Sequence, residues 1–245
     1  EGRGVYNNIR KFATYILNSN VPEAVPFIVF LFAKGQIPLP LTVMQILAVD
    51  LGTDMIPAIA LGVELPEEGV MQRPPRSQQE HLLNRSLLIR AFLFYGIMES
   101  AIAMSAFFFL YWQNGWPGIP MADSGEIYRM ATTMTLGAIV VTQIGIVFNC
   151  RTERASVFKV GLFSNHMILI GIICELTVFS ILIYTPFLHE IFNTAPIGLI
   201  EWAYLFMWVP VVILIDERRK AFLRNWDKRR LDKKHNTTEI EKGDS

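Results

Sequence analysis

Six stretches of this chain are apolar over about the length needed to cross a lipid bilayer: 12–34, 40–62, 87–112, 131–150, 166–187 and 197–215. A chain built this way folds as a bundle of membrane helices, because in lipid every backbone polar group must find its partner within the segment. Composition agrees: 52% of the residues are hydrophobic and the mean hydropathy is +0.35. The net charge of zero conceals a strict alternation. Twenty of the 22 Lys and Arg residues fall in the segments 1–11, 63–90, 151–165 and the tail from 216 onward. Lys34 and Arg129 alone occupy the alternate segments. The positive-inside rule then predicts an all-α membrane protein with six transmembrane helices and both termini in the cytoplasm.

Acidic residues occur where lipid makes them costly. Asp50 and Asp54 lie within LTVMQILAVDLGTDMIPAIALGV, residues 41–63, and Glu23 lies within the first span. A charged side chain at that depth faces the bundle interior or a partner, and by default marks an ion pathway. On the first span Asn20 and Glu23 are i,i+3 and Ser19 and Glu23 are i,i+4, which puts all three on one helix face. On the second, Asp50, Thr53 and Asp54 follow the same spacing. Pro22, Pro26 and Pro57 cannot donate to the carbonyls of Asn18, Pro22 and Thr53, and Gly52 eases local unwinding. Two kinked helices therefore offer carboxylate, amide, hydroxyl and carbonyl oxygens at similar depth. Such an all-oxygen set suits hard cations and matches the broken-helix sites of transporters. Glu99, Gln143 and Glu175, on the third, fourth and fifth spans, are further candidates for the same cavity. Asn18, Ser19 and Thr42 are each as compatible with packing as with function, and Thr42, off the acidic face, is expected to bear little.

Other chemistry is not signalled. Cys150 and Cys174 lack metal-ligand spacing and read as small apolar packers, and the four histidines are scattered. There is no nucleophile elbow, glycine-rich phosphate loop or zinc motif, and nothing points to a nucleic-acid partner. Trp112, Trp116, Tyr184 and Trp202 stand near span ends, as interfacial anchors do. The chain opens on Glu1, without a signal peptide, and reads as part of a longer protein.

The wording EGRGVYNNIRKF, then SNVPE, DLGTDMIPAIALG and MQRPPR, in this order and spacing, resembles the C-terminal membrane half of a type II P-type cation-transporting ATPase, from Glu1 to about Arg224. The resemblance implies the last six of ten membrane helices, with residues 1–220 as the transmembrane domain and 221–245 as a basic cytoplasmic tail. It implies cation ligands at Asn20, Glu23, Asp50, Thr53 and Asp54, with Ser19, Gln143 and Glu175 as possible additions. DKTG and TGE motifs are absent, so ATP and Mg2+ would act only through upstream domains, and this chain alone is not expected to hydrolyse ATP. Calcium pumps of the sarcoplasmic-reticulum type usually have Asn where Asp50 stands, whereas sodium/potassium pumps share Asp there and Ser at 19. Glu175 matches a glutamate of the sodium pump's third site, but Ile146 stands where that site has an Asp. The expected cargo is Na+/K+ or Ca2+.

The expected mechanism is alternating access, driven by an upstream phosphorylation domain that tilts the stalk formed by residues 1–11. The segment 63–85 is expected to dock on that domain. The tail residues Phe222, Leu223, Trp226 and Leu231 suit an interfacial helix on anionic lipid. The expected partners are the upstream half of the same ATPase and the lipid bilayer, with the cell membrane as location. The rival readings are a stand-alone six-helix channel or secondary transporter, and a structural anchor whose acids act as helix glue.

Overall fold

The structure is a computed structural model that describes residues 2–64 and 82–243, with no strand among them. Among the described residues, six helices are long and apolar enough to span a membrane: Gly4–Phe32, Val43–Gly62, Arg85–Gln113, Gly125–Cys150, His166–Tyr184 and Leu199–Asp227. The MQRPPR wording and most of the segment expected to dock lie outside the described residues, as do the side chains of the tail beyond 230.

Helix α1 (Gly2–Phe32) carries the first span and continues unbroken through Pro22 and Pro26. The second span is the discontinuous one. It consists of α2 (Val43–Ala48), a wide π turn at Val49–Thr53, and α3 (Met55–Gly62). In the π turn the Asp54 amide reaches back five residues to Val49 O at 3.1 Å, and the Thr53 hydroxyl donates to the same carbonyl at 3.1 Å. The hydroxyl thus helps hold the backbone away from α geometry, just before Pro57 withholds its own N–H. Both prolines of the first span are absorbed, whereas Gly52 and Thr53 turn the third into a local break.

The third span joins α4 (Arg85–Leu88), a π segment at Ile89–Gly96 and α5 (Ile97–Gln113). Helix α6 (Gly125–Cys150) is the mast of the bundle. Its most apolar window is 100% buried, mainly against α5 and α10 (Leu199–Gly243). Its inward threonines bond their own helix, Thr133 to Arg129 O at 2.7 Å and Thr142 to Ala138 O at 2.6 Å, so burial leaves their hydroxyls satisfied. A short α7 (Val157–Val160) leads to α8 (His166–Tyr184), the fifth span. It stops short of the expected 187 because Thr185 precedes Pro186, which disfavours the α conformation at 185. Thr185 is extended (φ −95°, ψ 109°), and Pro186 starts the separate α9 (Pro186–Phe192). The sixth span runs on past 215, where Asp216 bonds Arg219 at 2.7 Å and Lys220 at 2.8 Å along the same helix.

Thr42 has a role that its off-face position concealed. It is the N-cap of α2, in a reciprocal box with Gln45: the Gln45 amide reaches Thr42 Oγ1 at 3.3 Å, and the Thr42 amide reaches Gln45 Oε1 at 3.0 Å. Removing such a cap costs about 0.5–2 kcal/mol, so Thr42→Val is not the neutral change the sequence implied.

At the other end of the second span, the chain is fastened by a buried ionic cluster. Arg151, just past α6, grips Glu64 with two bonds (Nε to Oε2 3.1 Å, Nη2 to Oε1 2.7 Å). It also donates to Gly161 O at 2.7 Å and Ser164 Oγ at 2.6 Å. Asn165, the N-cap of α8, donates to Glu64 Oε2 at 2.7 Å. From α1, Asn8 Nδ2 reaches Gly62 O at 3.2 Å and Glu64 O at 2.6 Å. Asn165 also reaches Ala60 O at 3.3 Å, so the carbonyls left over where α3 ends find donors on α1 and at the N-cap of α8.

Candidate cation site

The site forms where the π turn of the second span faces the middle of α1. One oxygen from each of Glu23, Asp50 and Asp54 lies within 4.8 Å of the other two. Oxygens that share one calcium-like ion at 2.3–2.6 Å can stand up to about 5 Å apart, so this spacing lets the three touch a common cation. Glu23 is 7% exposed and Asp54 2% exposed, while Asp50 is exposed at the edge. Asp50 occupies the π turn, and Asp54 sits in the break before α3, so the wide turn carries both acids toward Glu23.

Around Asp54 the polar residues converge from several helices. Gln143 Nε2, from the mast, donates to Asp54 Oδ2 at 3.1 Å. The Thr53 hydroxyl is 3.5 Å from Asp54 Oδ1, and the Ser19 hydroxyl, one helix away, donates to Ile16 O on α1 at 3.0 Å. Asn20 points differently. It is exposed, and its Nδ2 donates to Ile16 O on its own helix at 2.9 Å. Glu175 is fully enclosed on α8, one turn past Gly171. That glycine allows close contact: a Cβ there would lie 3.1 Å from the Pro57 backbone.

Glu99 is not one of the three clustered acids, and its bonds go elsewhere. Its Oε2 accepts from Asn18 Nδ2 at 2.8 Å and its Oε1 lies 3.3 Å from Thr142 Oγ1, which brings the first, third and fourth spans together. Tyr15 is fully buried in the same interior and carried no signal of its own, apart from its i,i+4 relation to Ser19. Ile146 is also fully buried, so the mast brings no carboxylate at that level.

The donor set fits a cation. Among the described residues, buried oxygens of Glu23 (Oε1), Gln143 (Oε1), Asn18 (Oδ1) and Glu175 (both) have no hydrogen-bond partner. Unsatisfied acceptors in a bundle core are costly, and a hard cation is the partner that oxygen ligands of this kind would take.

A family profile described as "Cation transporting ATPase, C-terminus" matches residues 38–222. The chain belongs to the cation-transporting ATPases. Relatives of this cation-transporting ATPase chain include sodium/potassium-transporting ATPase subunit alpha-2 from Pongo abelii, 32% identical, and from Homo sapiens, 31% identical, each alignment covering 92% of this chain. The sodium/potassium-transporting ATPase subunit alpha of Drosophila melanogaster is 31% identical over 91% of it. The chain spans about a quarter of the length of these relatives, 24% in each case. With six spanning helices and this family, it is an integral, multi-pass membrane segment of a cation-transporting ATPase.

Proposed function

We propose that this chain is the ion-binding transmembrane part of an ATP-driven cation pump. The convergence of Glu23, Asp50 and Asp54 within 4.8 Å carries the reading. Thr53, Asn20, Ser19 and Gln143 complete the oxygen set, and Glu175 adds a buried carboxyl behind α3. The π turn supplies the movable element. Winding it back to α geometry would shift Asp50 relative to Asp54 and change how many carboxylates face one ion. Alternation between two such arrangements, driven by ATP and Mg2+ at upstream domains of the same protein and transmitted through the start of α1, moves the cation across the membrane. The relatives with similar sequence are named as sodium/potassium-transporting subunits, which favours a sodium/potassium-like cargo over a calcium-like one.

The test is ATPase activity of the full-length protein, titrated with sodium, potassium, calcium and magnesium in turn. Saturable stimulation by sodium with potassium is expected. Stimulation by calcium alone would transfer the site to the calcium-like class, and activity indifferent to all four would remove the pump reading.

Both ends of the chain are placed in the cytoplasm on the strength of the basic alternation. Single cysteines at Lys34 and Arg129 should react with an impermeant reagent from outside intact cells. Cysteines at Arg154 and Lys159 should react only after permeabilisation. Labelling of position 154 from outside would overturn the orientation.

A further inference from the structure

Glu99 is a carboxyl that the three-acid site does not use. It stands at the middle of the third span, Arg85–Gln113, and is 0% exposed. Both of its partners are neutral, Asn18 Nδ2 at 2.8 Å and Thr142 Oγ1 at 3.3 Å, and among the described residues no ion pair includes it. The Thr142 hydrogen is engaged elsewhere, by Ala138 O at 2.6 Å, so the hydroxyl turns a lone pair toward Glu99 Oε1. A proton shared between those two oxygens would draw them to about 2.5–3.0 Å. Their 3.3 Å spacing is that of neighbouring ligands. Oxygens bound at right angles to one hard cation, about 2.3–2.6 Å away, stand about 3.3–3.7 Å apart. Asn18 supplies more oxygen. On the amide that binds Glu99, its Oδ1 is buried without a hydrogen-bond partner. Pro22 also withholds the N–H that the Asn18 carbonyl would take in a proline-free helix.

We propose that Glu99, Asn18 and Thr142 form a second cation site, for one monovalent ion, distinct from that of Glu23, Asp50 and Asp54. A carboxylate at this depth is costly without a partner of opposite charge, and the ion is that partner. One carboxylate balances one positive charge, and ligands that are all oxygen suit a hard alkali ion. The two sites use different flanks of α1. Asn18 and Glu23 are five residues apart, which separates them by about 7.5 Å along the helix and about 140° around it. The first faces the third and fourth spans, and the second faces the π turn. The inference rests on the proposed pump function and adds an ion to its cargo.

Full-length protein in nanodiscs is titrated with radioactive sodium, and with radioactive rubidium in place of potassium, and the bound ions are counted at saturation. Glu99→Gln is the direct variant, because an amide can keep both contacts: its oxygen accepts from Asn18 and its NH2 donates to Thr142. If Glu99 were helix glue or a permanently neutral acid, the amide would replace it, and ion count and affinity would stay at wild-type values. The second site predicts one ion fewer per protein, with the ions of the three-acid site retained. Thr142→Val removes one ligand oxygen and keeps the side chain's shape. It should keep the count and weaken one ion by roughly 2- to 10-fold, the scale of one neutral polar partner. Should the Gln variant fold poorly, unchanged affinity in Thr142→Val overturns the site by itself. Counts and affinities that neither variant alters overturn the second site and leave the pump reading standing. Wild-type protein that binds neither ion overturns both.

Discussion

Asp54→Asn in the full-length protein is expected to weaken the cation that stimulates turnover by about 10- to 100-fold, or roughly 1–3 kcal/mol, the scale of losing a charged partner in a buried site. Asp54 is the most enclosed of the three converging acids, at 2% exposure, and the one that Gln143 orients. The amide keeps its shape and removes one negative charge. Folding should survive, because a neutral group lowers the cost of burial at a site assembled before any ion arrives. Asp50→Asn should act in the same direction with a smaller effect, since Asp50 is exposed at the site's edge. Thr177→Val is the proper control. Its exposed hydroxyl bonds only Ile173 O on its own helix among the described residues. If the acids were helix glue, Asp54→Asn would lower folded yield while surviving protein kept wild-type ion affinity. Ion-stimulated ATPase titrations alongside folded yield distinguish the two. An unshifted titration would remove Asp54 from the site.

Arg151→Met should destabilise the bundle by about 3–5 kcal/mol, the cost of leaving one member of a buried ion pair without its partner. Arg151 and Glu64 are 1% and 7% exposed at their side chains, so water cannot replace what is lost. The same change frees Gly161 O and Ser164 Oγ, which Arg151 holds in the turn before α8. Combining it with Glu64→Gln should restore a large part of the loss, because the stranded charge disappears while Asn165 still has an oxygen to bind. Reversible unfolding in mixed detergent measures both variants. Equal stability of Arg151→Met and wild type, or no recovery in the double variant, would show that the pair does not fasten the second span.

The spans were legible from apolar length, and the converging acids from i,i+3 and i,i+4 spacing alone. Where the reading stopped short, the missing information was tertiary. Nothing local distinguishes Pro57, at a break, from Pro22 and Pro26, which α1 absorbs; the difference depends on Gly52 and on a Thr53 hydroxyl able to reach Val49 O. Thr42 looked idle because its partner, Gln45, is a capping residue and not an acid. Arg151 was read only in the count of Lys and Arg, and Glu64 only within the segment expected to dock, since residues 87 positions apart declare no contact in sequence. Asn20 satisfies the spacing rule, yet its amide turns back on its own helix. A helix face states which side chains can meet, and rotamers decide which do.

The enclosure of α6 bears on how the protein is made. A helix whose residues 131–150 are all buried in the finished bundle must still leave the ribosome before the sixth span has been synthesised. Until Leu199–Asp227 arrives, the flank that α10 will cover stays open. The threonine hydroxyls turned onto their own backbone let α6 wait in lipid as a self-contained rod. Gln143 and Asn149 have no such shelter, because their partners, Asp54 and Val212 O, sit on other helices. The last helix is therefore the one that closes the assembly, and truncation before it would strand the mast as a substrate for membrane quality control.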